Sequence, residues 1–292
     1  MNASFGIDHP LLATHDINAL RTRLISLGFN MTEIGKHPWG TSTSLAMFNG
    51  CLIEIMGIYD DSLIDEVPAG DFRFGRHVFE HLADREGVAL SALHSTNSVD
   101  DASQAETAGF TVAGHLEFGR NVILPDGTEG RTKTTLALLP DPQFPRLSFF
   151  LCQQHRPDLI YVPEWLEHPN GVHGICGVNV LAHEQFHSDL KAWFGGIYSG
   201  FKELSGGFQY QTANGVMRVM TTNAFEDEIG QLPEGFHQEK LPCIAGMDLR
   251  MSDEDVLENH LARSGLEFRT IGGGFALTQP KLTANTLIRF LR

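Results

Sequence analysis

Ile7-Asp8-His9-Pro10-Leu11-Leu12-Ala13 reads as a short alternating strand, and the helix and strands that succeed it decide the fold. Asp16 can cap a helix in which Ile17, Leu20, Leu24 and Leu27 recur at helical spacing, and Gly28-Phe29 stops that helix. Further strands are predicted around 31–34, 42–48 and 52–58. The same succession recurs three more times along the chain. The second copy starts near Val88, has a helix over 99–108, stops at Gly109-Phe110 and closes over 147–152. A long insertion in this copy contains the turn Pro125-Asp126-Gly127. The third starts near Gly174, places Phe186, Leu190, Trp193 and Ile197 at helical spacing and ends over 216–221. The fourth starts at Ile244, has Ser252 as a cap, a helix over 253–263 stopped by Gly265, and a closing strand over 286–291. Each helix is followed by several short strands rather than by one, so the reading is an α+β protein of four βαβββ units with curved sheets. The proline- and aromatic-rich stretch 157–172 is read as an ordered connector. It divides an N-terminal domain, 1–156, from a C-terminal one, 173–292.

Composition narrows the function. With 36 acidic and 21 basic residues the net charge is −15, which excludes a phosphate-backbone binder and disfavours an anionic membrane surface. No spanning-length apolar run and no signal-peptide pattern is evident, so the expected location is the cytoplasm. Cys51, Cys152, Cys176 and Cys243 form no CxxC pair and are expected as buried thiols.

The order Ile7-Asp8-His9, helix, Gly28-Phe29, strands, Leu52-Ile53-Glu54 resembles the vicinal-oxygen-chelate superfamily. His37-Pro38-Trp39-Gly40-Thr41, the 124–129 turn and the 149–155 segment resemble its bacterial glyoxalase-like branch. The resemblance implies that units pair into two cupped half-barrel sheets, with a divalent metal (Fe, Mn, Zn or Ni) held in a cup and a small-molecule substrate chelating it. It implies first a metal-dependent isomerase or lyase acting on a small oxygenated molecule. The alternative is a non-catalytic binder or sequestering protein. An extradiol dioxygenase is disfavoured, because those enzymes carry their ligands in the C-terminal half. A homodimer is a further expectation.

His9 shares a strand face with Ile7 and Leu11, and Glu54 shares one with Leu52 and Met56. Two readings stand on the residues alone: a hydrogen-bonded core histidine with a glutamate paired to an arginine, or two metal ligands. The third ligand is sought in the second unit. Aligning the helices brings Leu90 or Ser91 opposite His9, so His155 is chosen from the closing strand, with Gln153 as helper. Trp39, Phe48, Met56 and Phe150 are expected to line the cup, and Glu54 or His37 to move a proton. The pairs His77/His81 and His183/His187 lack an HExxH motif and are read as solvated helix faces. In the C-terminal half the Glu54 position becomes Arg218 and Arg289, and the His9 position becomes Cys176 or a neighbour, and Gly246. That half reads as a structural pseudo-copy or a dimerisation surface, its arginines in ordinary salt bridges.

Overall fold

A computed structural model describes residues 5–229, 232, 236 and 241–292. Two eight-stranded sheets with the same strand order account for most of them. The first contains β1 (Ile7–Ala13), β2 (Gly35–Lys36), β3 (Thr41–Phe48), β4 (Cys51–Ile58), β5 (Gly87–His94), β6 (Gly114–Phe118), β9 (Thr134–Leu139) and β10 (Phe149–Gln154), in the order β2-β3-β4-β1-β5-β10-β9-β6. The hairpin β7 (Asn121–Ile123) and β8 (Glu129–Arg131) stands apart from it. The second contains β11 (Val172–Leu181), β12 (Ser199–Leu204), β13 (Gly207–Gln211), β14 (Val216–Met220), β15 (Cys243–Met251), β16 (Phe268–Ile271), β17 (Gly274–Leu277) and β18 (Leu287–Leu291), in the order β12-β13-β14-β11-β15-β18-β17-β16.

Each sheet is two units joined back to back. β1 runs antiparallel to β5, and each is flanked by the parallel closing strand of its own unit, β4 or β10. β11 and β15 repeat this with β14 and β18. The first unit's helix, α1 (Ile17–Ser26), is capped by Asp16, whose carboxylate accepts the Ala19 N–H. The chain leaves it through Gly28 at φ +86°, a left-handed backbone that only glycine adopts freely. Two expectations shift here. Residues 31–34 form no strand, the edge being taken by Gly35–Lys36, and the cap of the last helix, Glu254–Ser264, is Asp253 rather than Ser252.

Strand alternation sorts the apolar residues among those described into three clusters. One lies behind both sheets, where Leu20, Leu24, Ile53, Phe149 and Leu151 pack in the same core as Val178, Val180, Leu257 and Leu261. The other two line the inner face of each sheet. The helix α2 (Phe74–Asp84) covers part of the first cup, and its histidines are not solvated: His77 Nε2 bonds the Ala89 carbonyl at 3.1 Å and His81 is buried beside Arg146. The connector fastens onto the first unit. His168 Nδ1 accepts the Asn30 N–H, so its Nε2–H donates to the Met47 carbonyl at 2.9 Å and the ring is neutral. No helix among the described residues is long and apolar enough to cross a membrane.

Candidate functional site

The inner face of the first sheet encloses a cavity of about 800 Å³, within the range that holds a drug-sized ligand. Its floor is β1 and β4. A register shift between Ile7 and His9 turns the chain there, so that Ile7 packs behind the sheet while His9 and Leu11 face the cup. Ile7 therefore does not share the His9 face as strict alternation predicts. Glu54 sits across from Leu11 on the neighbouring strand, and Thr43 on β3 pairs with Met56. The walls are Met47, Leu52, Met56, Leu136 and Phe150. Buried His37 and Trp39 continue the wall, and the mouth is formed by the half-buried Phe118 and Arg120 and by Ile160 and Trp165 of the connector.

Both nitrogens of His9 meet carboxylates. Nδ1 is 2.7 Å from Asp8 Oδ1 and Nε2 is 3.1 Å from Glu54 Oε2, all three groups being buried. Burial opposes a charge on His9, but the hydrogen bonds and charges of Asp8 and Glu54 outweigh it and raise its pKa to about 9. Burial likewise acts against the Glu54 carboxylate. Its bond to His9, with the Thr43 hydroxyl donating to Oε1 at 2.5 Å, nevertheless brings its pKa to about 2. The floor is thus a carboxylate–imidazolium–carboxylate chain at neutral pH. His37 differs. Burial, reinforced by the charge of Arg120 against that of Glu54, lowers its pKa to about 4, so it is a neutral ring stacked on Trp39 at 4.7 Å. Burial first, then the charges of Asp8 and Glu54, push the Cys152 thiol well up.

Of the residues expected at the site, the fold brings His9, Glu54, His37, Trp39, Met56 and Phe150 to one cavity and leaves three outside it. Phe48 faces the shared core, against Phe29 and the His168 ring at 4.8 Å, because cup-facing positions of β3 are Thr43, Leu45 and Met47. Phe150, Cys152 and Gln154 face inward on β10, so Gln153 and His155 face outward. Gln153 instead accepts the Ser98 N–H at the start of α3 (Ser98–Thr107), and His155 is exposed, bonded to Thr135 Oγ1 at 2.8 Å. Sequence reasoning misses Gln154, Cys152, Phe74, Phe118 and Arg120. The first two are one step of strand alternation away. The rest come from the covering helix, the end of β6 and the turn after it, which carry no motif.

The donors do not fit the divalent metal that the resemblance implies. Relating the two units by the strand register (Leu11 against Glu54 in the first, Ala92 against Phe150 in the second) makes Leu90 the counterpart of His9 and Phe150 that of Glu54. The second unit therefore contributes a leucine and a phenylalanine where ligands are needed, and the Gln154 amide oxygen is occupied by the Thr134 hydroxyl at 2.7 Å. Among the described residues no group of three or more His, Cys, Asp or Glu side chains is disposed to hold an ion.

The same register in the second sheet pairs Asn179 with Arg218 and Asp248 with Arg289, so both arginines stand where the first sheet has Glu54 and Phe150. Gly177 and Gly246 take the His9 position. Asp248 receives Arg289 through two bonds of 2.7 Å, Glu228 receives Arg218 at 2.9 Å and also touches Arg289, and Asn179 donates to Asp248 at 2.8 Å. The arginines are neutralised internally, as salt bridges within the second cup.

A family profile for the glyoxalase-like domain matches residues 7–194. No curated protein sequence matches the chain. Among solved structures, a hypothetical protein from Staphylococcus aureus superposes with a TM-score of 0.65 at 13% identity over 98% of each chain. A substituted form of 4-hydroxymandelate synthase from Streptomyces coelicolor gives 0.57 at 10% identity, covering 99% of this chain and 92% of that one. A fusion protein of a xylose isomerase-like TIM barrel and 4-hydroxyphenylpyruvate dioxygenase gives 0.54 at 13% identity, covering 91% of this chain and 39% of that one. At such identities these likenesses establish the fold, two curled half-barrel sheets, and no activity. With the profile spanning both units of the first sheet and the start of the second, the chain belongs to the glyoxalase-like domain family of the vicinal-oxygen-chelate superfamily.

Proposed function

We propose that this is a small-molecule-binding protein whose N-terminal cup holds a largely apolar, oxygen-bearing compound without a metal ion. The observation that carries the reading is the pair Leu90 and Phe150, which puts apolar side chains at the second unit's ligand positions inside a cavity of about 800 Å³. The electrostatics support it. A group that shuttles protons works best with a pKa near the working pH, and His9, Glu54 and His37 are all moved away from neutrality, to about 9, 2 and 4. The second reading, a divalent-metal-dependent isomerase or lyase, is favoured by one observation, the convergence of His9 Nε2 and Glu54 Oε2 on one point.

Two measurements separate these readings. Elemental analysis after incubation with Mn, Fe, Zn and Ni salts should find no stoichiometric metal, while the neutral fluorophore phenylnaphthylamine should bind saturably. Stoichiometric metal that disappears in folded His9→Ala and Glu54→Ala variants would transfer the conclusion to the enzyme.

A further inference from the structure

Arg120 is held at the mouth of the cup by its backbone: its N–H donates to Thr132 Oγ1 at 2.9 Å and its carbonyl accepts the Thr132 N–H at 2.8 Å. The guanidinium lies across the mouth against Gly35, where an added Cβ would come within 2.8 Å of Nη1, so β2 leaves room for it. In a chain with 36 acidic and 21 basic residues, an arginine at an apolar cavity would ordinarily have a carboxylate. Arg120 has none among the described residues. Of the two glutamates at the mouth, Glu33 is bonded to Arg21 at 3.0 Å, and Glu164 forms no ion pair with Arg120. The acceptors at the floor are already taken, since Glu54 receives both His9 and Thr43.

What the cavity lacks is therefore an acceptor, charged to suit Arg120 and attached to a body that suits aromatic and methionine walls. We infer that the ligand is an amphipathic organic anion, a carboxylate or sulfonate whose charged end meets Arg120 while its apolar body lies against Trp39, Phe74 and Phe150. Arg120 then sets the charge specificity of the site. This rests on the proposed role of the cup as a binding site.

The test uses two fluorophores that share a ring framework, neutral phenylnaphthylamine and the anionic anilinonaphthalene sulfonate, titrated into the wild type and Arg120→Met. In the wild type each probe should displace the other, and the sulfonate should bind at least about tenfold more tightly, the increment of one charge-assisted bond. Arg120→Met should abolish that preference, with an unchanged circular dichroism spectrum and a cooperative thermal transition showing that the variant is folded. Equal affinities in the wild type, an undiminished preference in Arg120→Met, or failure of the probes to compete would overturn the inference while leaving the cup a binding site. Failure of both probes to bind would remove the proposed function itself.

Discussion

Replacing Glu54 by glutamine removes one charge from the floor and keeps its shape and its capacity to bond both His9 and Thr43. The support that Asp8 and Glu54 give the His9 imidazolium is enough to raise its pKa from 6.5 to about 9 against burial, which corresponds to about 3 kcal/mol at full protonation. Glu54 supplies one of the two carboxylates, and the burial penalty remains when it is gone. The variant should therefore lose about 2 kcal/mol at mildly acidic pH, or roughly 4–8 °C in Tm for a protein of this size. A group whose pKa rises on folding stabilises fully below its unfolded value and loses that contribution as pH climbs through the folded one. The gap between wild type and Glu54→Gln should thus be widest below the ordinary histidine value of 6.5 and close as pH passes about 9. On the acid side the Glu54 contribution has the opposite sign of dependence: it is complete above 4.5 and is lost as pH falls through about 2. Differential scanning calorimetry across this range, with the His9 imidazole followed by NMR, checks both statements. A constant Tm gap from mildly acidic to alkaline pH, or a wild-type His9 titrating at its ordinary value, would refute the ion-chain account.

Phe48→Ala and Phe150→Ala each open a cavity in a buried cluster and should each cost about 3–5 kcal/mol in urea unfolding, yet only Phe150→Ala should weaken phenylnaphthylamine binding, because Phe48 is on the far side of the sheet. Asp248→Asn removes the carboxylate shared by Arg289 and Asn179, leaving buried charge uncompensated, and should cost about 3–5 kcal/mol in the same assay with no change in the N-terminal cup's probe affinity.

The repeat is readable because strand and helix periods differ and each unit's helix gives way to strands at a turn. Helix and strand limits near Ile17, Val88 and Val216 fall within a few residues of those observed. That His9 and Glu54 need partners is readable for a related reason, since both are polar residues in apolar strands, but the partners are not: Glu54 bonds His9 and Thr43 rather than an arginine, and His9 also bonds Asp8. The failures have local causes. Phe150 and Gln153 are an odd number of residues apart on one strand, so they cannot share a face, and placing both at the cup is inconsistent with the alternation of β10. Ile7 is misplaced by strict alternation because a register shift beside Asp8 has no composition signal. Arg120 is invisible in the sequence, since its significance comes from its place at the mouth beside a hairpin in an insertion, and from having no acidic partner among the described residues.

The core behind the two sheets is common to both, so each strand of the C-terminal sheet has one side answerable to the other half of the molecule and one side answerable only to itself. Substitutions on the first side must keep an interlocked interior, whereas those on the second are free to drift so long as they neutralise one another, as Asp248, Arg289, Arg218 and Glu228 do. A half whose inner face is given over to ion pairs among its own residues is in this way still not dispensable. It is the foundation on which the N-terminal half stands, and a chain cut at the connector would expose that foundation's apolar surface to water.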